Sequence, residues 1–474
     1  MHQVQTRQRP ACSMGEARRS HTLPRRGRCP MNLRLLWLGS VASALLLSLP
    51  PTPVHGAGGD LLWQTQFDLA DGNDVASAMA AADGRVVAVS TTRAADGSVA
   101  LSVRAYDART GALLWEDRVN DAAGTSVAMN GRLVVVSGTG DVSGSSQSLI
   151  RAYLARTGTL LWQDSWPGDG FSLRLALEGA FLAVAGGITD TAGVIHPIAR
   201  AYIAAVGAVL WTDRSSPLDY TGPGWFGGVT LRDGVVYVAG NVRRTVIGGS
   251  RACLVRRYAV LTGARAWETV RDATATCTPL AVAADRRRVV LTGLAGIGND
   301  AFFVQAFDAT TGGFLWQDRT AGSSATDEGT AVELANGRAI VSGWRIFAGS
   351  TTAGFKETFF VRSYDADSGV LRWENTHQVD ELGVFMWHGL DLDVARGRVF
   401  AVGQAVGYGT WLVRALELSS GDVIWQRQFE PDVIGANYGW TQAAAVDGGR
   451  LFVAGSVFNA TGNSDALVRG LDAR

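Results

Sequence analysis

From residue 57 onward the chain is a succession of short apolar runs bounded by turn-forming residues. Val86–Val89, Leu133–Val136, Val235–Val238 and Leu451–Val453 each follow an Asx-Gly pair: Asp83-Gly84, Asn130-Gly131, Asp233-Gly234 and Asp447-Gly448. Asn336-Gly337 opens a further run of the same kind. Such pairs suit two-residue hairpin turns, whose central positions need positive φ, and runs this short read as strands rather than helices. Beyond each run lies a second strand-like stretch, then a Gly turn, then a stretch carrying Trp. The pattern predicts units of four short strands.

The units repeat. Gly recurs at 111, 158, 207, 263, 312, 369 and 421, and Trp lies four residues later each time, at Trp115, Trp162, Trp211, Trp267, Trp316, Trp373 and Trp425. Five residues before the Gly stands Tyr106, Tyr153, Tyr202, Tyr258, Phe307 or Tyr364, with Leu416 the exception. Counting from Trp63, successive Trp positions are 52, 47, 49, 56, 49, 57 and 52 residues apart. Four-stranded units at that spacing mark a β-propeller. The last unit stops at Leu471-Asp472-Ala473-Arg474, where a Trp strand should follow, and the missing strand stands at the front as Leu61–Phe67. The expected fold is all-β: an eight-bladed propeller over 57–474, closed by an N-terminal strand that completes the last blade and leaves no open sheet edge between first and last blades. The eight repeat Trp residues are read as packing between blades.

Composition and charge sharpen this picture. The chain has 474 residues, long for one globular core, but a toroid grows by adding blades. Gly at 58 and Trp at 15 are accounted for mainly by turns and docking residues. The formal net charge is zero, which argues against a nucleic-acid binder working by bulk charge. Residues 35–49 form an apolar run after Arg34, too short to span a bilayer comfortably, and small residues near Gly56 suit cleavage before Ala57. We read 31–56 as a signal peptide and 1–30 as an over-long N-terminal extension, with Met31 the initiator. A twin-arginine signal, from Arg18-Arg19 or Arg25-Arg26, is the rival reading. Removing 1–56 takes away eight Arg and one Glu, leaving 35 basic against 42 acidic residues, a net of −7. No cysteine stands at the cleavage point for lipid attachment, and no second long apolar stretch follows. The expectation is a periplasmic or secreted monomer without a transmembrane anchor. Cys253 and Cys277, the two cysteines left, are candidates for one disulfide, the alternative being two separate buried thiols.

The best copies, Ala105-Tyr-Asp-Ala-Arg-Thr-Gly-Ala-Leu-Leu-Trp115 and Ala306-Phe-Asp-Ala-Thr-Thr-Gly-Gly-Phe-Leu-Trp316, resemble the tryptophan-docking repeat of quinoprotein-type propellers, the PQQ-like repeat. Leu154, Ile203 and Ala259 replace the aspartate in blades two to four. The resemblance spans 61–474 and implies one of two functional classes. Quinoprotein dehydrogenases hold pyrroloquinoline quinone and calcium in the ring centre; they carry a vicinal cysteine pair, which this chain lacks, and are longer. The other class is the non-catalytic exported propellers that bind or scaffold. No cofactor is expected on the second reading, and quinone with calcium only on the first.

Seven Trp lie outside the repeat. Loops entering first strands carry Tyr220, Trp225 and Phe226, then Phe385, Trp387 and His388, then Tyr438 and Trp440, all expected on one face near the channel. They are the candidate face for a protein or small-ligand partner; local capping of each loop against its own blade is the alternative. Gly/Ser/Thr-rich loops on the same face hold Arg243-Arg244 and Lys356. His196, His377 and His388 show no shared ligand spacing, and GxSxG, P-loop and HExxH motifs are absent. Asp169, and Asp391 with Asp393, read as scattered turn or solvent carboxylates. No catalytic residue or metal ligand is assigned.

Overall fold

The computed structural model describes residues 58–474 apart from 69–71, 143–144, 169, 217–219, 221, 244–250, 272–275, 297–300, 321–326, 348–355, 380–390, 405–409, 430–438 and 460. The extension and signal segment expected over 1–56 lie outside the described residues.

Among the described residues, thirty-two strands form eight separate four-stranded antiparallel sheets. Blade 1 holds Asn73–Ala82, Arg85–Arg93, Val99–Asp107 and Leu113–Asn120, in that order from the ring centre outward, and blades 2 to 7 repeat the order along the chain. Blade 8 alone is assembled from both ends of the chain. Gly439–Asp447, Arg450–Phe458 and Ser464–Asp472 supply three strands, and Leu61–Phe67 pairs antiparallel with Ser464–Asp472 as the fourth. The two middle strands of a blade are buried on both faces because a neighbouring blade covers each side; in Arg450–Phe458 every residue between the two ends is buried.

The turn joining third and fourth strands explains the Gly of the repeat. Gly111 has φ 72° and donates to the Asp107 carbonyl at 2.9 Å, while Asp107 donates to the Ala112 carbonyl at 2.8 Å. Positive φ is cheap only for glycine, and a Cβ here would also lie 2.6 Å from the Trp63 ring of the preceding blade. Every repeat Trp behaves alike. It lies on the turn glycine of the next blade, Trp115 on Gly158 and so on round to Trp425 on Gly59. In seven of the eight, all but Trp425, the indole N–H also bonds the next blade's main chain, as from Trp63 to Ala108 at 3.1 Å and from Trp316 to Ala366 at 3.0 Å. At the closure the same turn is rebuilt across two distant segments: Gly59 donates to the Asp472 carbonyl at 2.7 Å and Asp472 to the Asp60 carbonyl at 2.9 Å.

A second link joins neighbouring blades. The Tyr of the third strand donates to an Asp two residues after the preceding blade's Trp: Tyr153 to Asp117 at 2.7 Å, Tyr202 to Asp164 at 2.9 Å, Tyr258 to Asp213 and Tyr364 to Asp318 at 2.7 Å each. Cys253, in the third strand of blade 4, and Cys277, at the start of blade 5, form a disulfide with Cα atoms 5.2 Å apart.

Most Asx-Gly turns fall as expected, with Asp83, Asp233 and Asn336 each at φ 49°. Two differ. Asn130 instead caps a longer loop, its side chain accepting from the Arg132 and Leu133 amides. In blade 8 the two turn positions are Gly448 and Gly449, while Asp447 pairs with Arg450 in the ladder.

Candidate functional site

The first strand of each blade has one unpaired edge, and these edges face a central channel. Seven of them carry a β-bulge at the same height, which twists the edge and turns one extra residue inward. Ser77, Thr125, Gly227, Leu280, Thr330 and Gln442 occupy these bulges and line a cavity of about 520 Å³. Small residues are needed where eight strands converge; a Cβ on Gly227 would collide with the Pro279 carbonyl of the next blade.

Charge enters this lumen on a few strands only. Arg174 comes from blade 3, Glu328 and Glu333 from blade 6, and Asp391 from blade 7. Asp391 and Asp393 are two apart on the strand Asp391–Ala395 and so share its face. Each accepts a hydrogen bond from a first-strand amide of blade 8: Ala444 to Asp391 at 2.9 Å, Val446 to Asp393 at 2.7 Å. Glu333 does the same one blade earlier, accepting from Val394 at 3.0 Å. These carboxylates are therefore not the turn and solvent groups expected; they cap edge amides that the ladder leaves bare. Desolvation, joined by the charges of Asp393 and Asp391, pushes Glu333 up to about 8. Desolvation likewise lifts Asp391 to about 6 against its two amide bonds, and it raises Asp393. Desolvation lowers the Arg174 pKa, and the Asp391 charge partly offsets this.

Pyrroloquinoline quinone is a planar tricarboxylate and its calcium needs several oxygen ligands. The described lining has one cation, Arg174, and no aromatic ring for the quinone to stack on. Among the described residues, no group of three His, Cys, Asp or Glu side chains is placed to hold a metal ion. Among the described residues, the lumen lining does not fit that cofactor.

The candidate aromatic face is only partly assembled by the described residues. Phe226 is fully buried and Tyr220 is 7 % exposed, both within the apolar core between blades 3 and 4. Trp225, between them on the strand Gly224–Arg232, is half-buried with the Arg251 guanidinium 4.9 Å from its ring centre. Phe385, Trp387, His388 and Tyr438 lie outside the described residues, as does Asp169. Trp440 sits on the first strand of blade 8, paired with Ser456. Sequence reasoning missed Arg174 and Glu333. Their signal was a charged residue inside a first strand whose ladder partners are apolar, Leu175–Val184 beside Arg174 and Ile340 opposite Glu333.

Eight blades, each with its Trp seated on the next blade's turn glycine, define a tryptophan-docked propeller built of PQQ-like repeats. The chain belongs to the family described as outer membrane protein assembly factor BamB, whose model matches residues 53–146 and 145–378. No curated protein matches the chain. Among solved structures, it is similar to the quinohemoprotein alcohol dehydrogenase from Comamonas testosteroni, with TM-score 0.55 and 16% identity over 88% of this chain and 77% of that one. It is also similar to a europium-containing methanol dehydrogenase, with TM-score 0.51 and 11% identity over 87% and 93% of the two chains. BamB from Moraxella catarrhalis matches at TM-score 0.34 and 15% identity over 70% of this chain and 95% of that one. At these identities the likeness to solved structures is one of fold. Among the described residues no helix is long and apolar enough to cross a membrane.

Proposed function

We propose that the protein is an exported, non-catalytic propeller of the bacterial envelope that binds or scaffolds a protein partner on its loop face. The observation that carries this reading is the state of the lumen carboxylates. Glu333, Asp391 and Asp393 each hold a main-chain amide of the next blade, so the groups that would serve a channel enzyme are engaged in holding the ring. Membership of a family described by an assembly factor supports the same reading. Half-buried Trp225, with Arg251 over its ring, offers the partner an aromatic and a cationic group at one point of the loop face.

The test has two arms. Purified protein is titrated with pyrroloquinoline quinone and calcium and assayed for dye-linked oxidation of alcohols and aldoses. We expect neither saturable binding nor turnover, and either result would overturn the scaffold reading. In the second arm a photo-crosslinker at position 225 should trap one defined envelope protein, while one at position 114, on an outer strand, should not. Identical trapping at both positions would argue against the loop face.

A further inference from the structure

We propose that a cavity between blades 7 and 8, on the face of the hairpin turns, is a binding site for a small oxyanion of phosphate size. The cavity measures about 180 Å³ and is lined by Ala395, Arg396, Arg398, Phe400, Val446, Gly449, Ala473 and Arg474. Three of its eight residues are arginines and none is acidic.

Two departures from the repeat deliver these charges. The first is at the hairpin turn of blade 7. Five non-glycine residues have positive φ among the described residues; four are Asp or Asn, and the fifth is Arg396 at φ 52°. Asx side chains tolerate the left-handed region by bonding locally, and a long cationic side chain gains nothing of the kind. In other blades the side chain at this turn reaches the next blade: Asp83 lies over Gly131, and Asp233 pairs with Arg286 at 2.8 Å. Arg396 reaches the same way. Its Nη1 lies over Gly449, 2.9 Å from where a Cβ would stand, so the neighbouring turn has left room for a guanidinium.

The second departure concerns Arg398. The Ala473 carbonyl stands where the preceding blade's Trp should donate, yet it accepts from Arg398 Nη1 at 2.7 Å. The Trp425 indole N–H is left buried without a partner. A docking bond made by the other repeat Trp residues is thus given up to position this guanidinium.

At the same point of blade 5, Arg288 faces a carboxylate instead, lying 3.1 Å from Asp367. In the seam cavity only Arg474 is paired, with Asp472 at 2.8 Å. Arg396 and Arg398 face one small space with no acid in its lining. Two guanidiniums so placed repel one another, and an oxyanion between them turns that repulsion into charge-assisted hydrogen bonds. Bound there, it would also draw blade 7 to blade 8.

Inorganic phosphate is the probe, added at constant ionic strength with sodium chloride making up the balance. The melting temperature of the wild-type protein should rise saturably, by on the order of a few degrees once phosphate is well above its Kd. Arg396→Asp restores the residue type of the other turns, so it should fold, and its melting temperature should not respond to phosphate. Arg396→Asn keeps the left-handed turn without either charge and should respond no more than the Asp variant. Calorimetric titration of the wild type with phosphate gives the same readout without a variant. No saturable response in the wild type, or a response in either variant equal to that of the wild type, would overturn the site.

Discussion

The outermost and innermost strands of the blades are built on opposite terms. Outside, every blade repeats one device: Trp on glycine, with Tyr donating to Asp in four of the junctions. Inside, the bulges recur but their occupants differ, from Ser77 to Leu280 to Gln442, and acidic groups gather on blades 6 and 7. The repeated belt holds the ring together, and the lumen and the blade 7–8 seam are where this chain differs from copies of itself. Redundancy marks what the fold needs. Individuality marks what only this protein needs.

Removing Leu61–Phe67 is the harshest way to break that comparison, since blade 8 then loses both its outer strand and the rebuilt turn at Gly59 and Asp472. The melting temperature should fall sharply in a thermal scan; an unchanged melt would mean that the closure does not hold the ring. Truncating one docking residue, Trp115→Ala, should cost about 3–5 kcal/mol in denaturant unfolding, because a buried indole and its bond to Ala155 are lost together. A cost below about 1 kcal/mol would show that the belt is not where stability resides.

The smallest effect belongs to the lumen and depends on pH. Glu333 is raised from 4.5 to about 8 on folding, so the folded state holds its proton more tightly than the unfolded chain. Its contribution is complete below pH 4.5 and is lost as pH rises through 8. Glu333→Gln keeps an acceptor for the Val394 amide and removes the charge. The variant should therefore gain in melting temperature relative to wild type between pH 5 and 8, the difference widening with pH. Asp391, raised to about 6, acts with the same sign in both proteins. A difference that does not vary with pH would place Glu333 in contact with solvent.

Repetition made much of this fold legible. Seven Trp at one offset from a turn glycine, and an eighth in a strand missing from one end and present at the other, are enough to fix blade number and closure. Glycine is the natural residue where φ reaches 72° under an indole ring, so its recurrence reports the docking directly. Features that depend on which side of a strand faces which neighbour stayed hidden. Asp391 and Asp393 look like loop carboxylates until the strand they share is seen facing blade 8. Phe226 looks like a surface aromatic until its strand is seen to turn it into the core. The turn at Arg396-Gly397 escaped because arginine is not a residue from which positive φ is inferred. The pairing of Cys253 with Cys277 was readable because the blade model places the two on one side of adjacent blades.

Each Trp is lent forward, to the blade that follows, and none is lent back. The ring accordingly has a direction, and every blade is at once a lender to one neighbour and a borrower from the other. A blade added by duplication would arrive with one indole to give and one glycine seat to fill, so the exchange around the circle would still balance. A blade lost would take away one of each. The size of such a ring can change only by whole repeats, and the docking of indole on glycine can carry over unchanged.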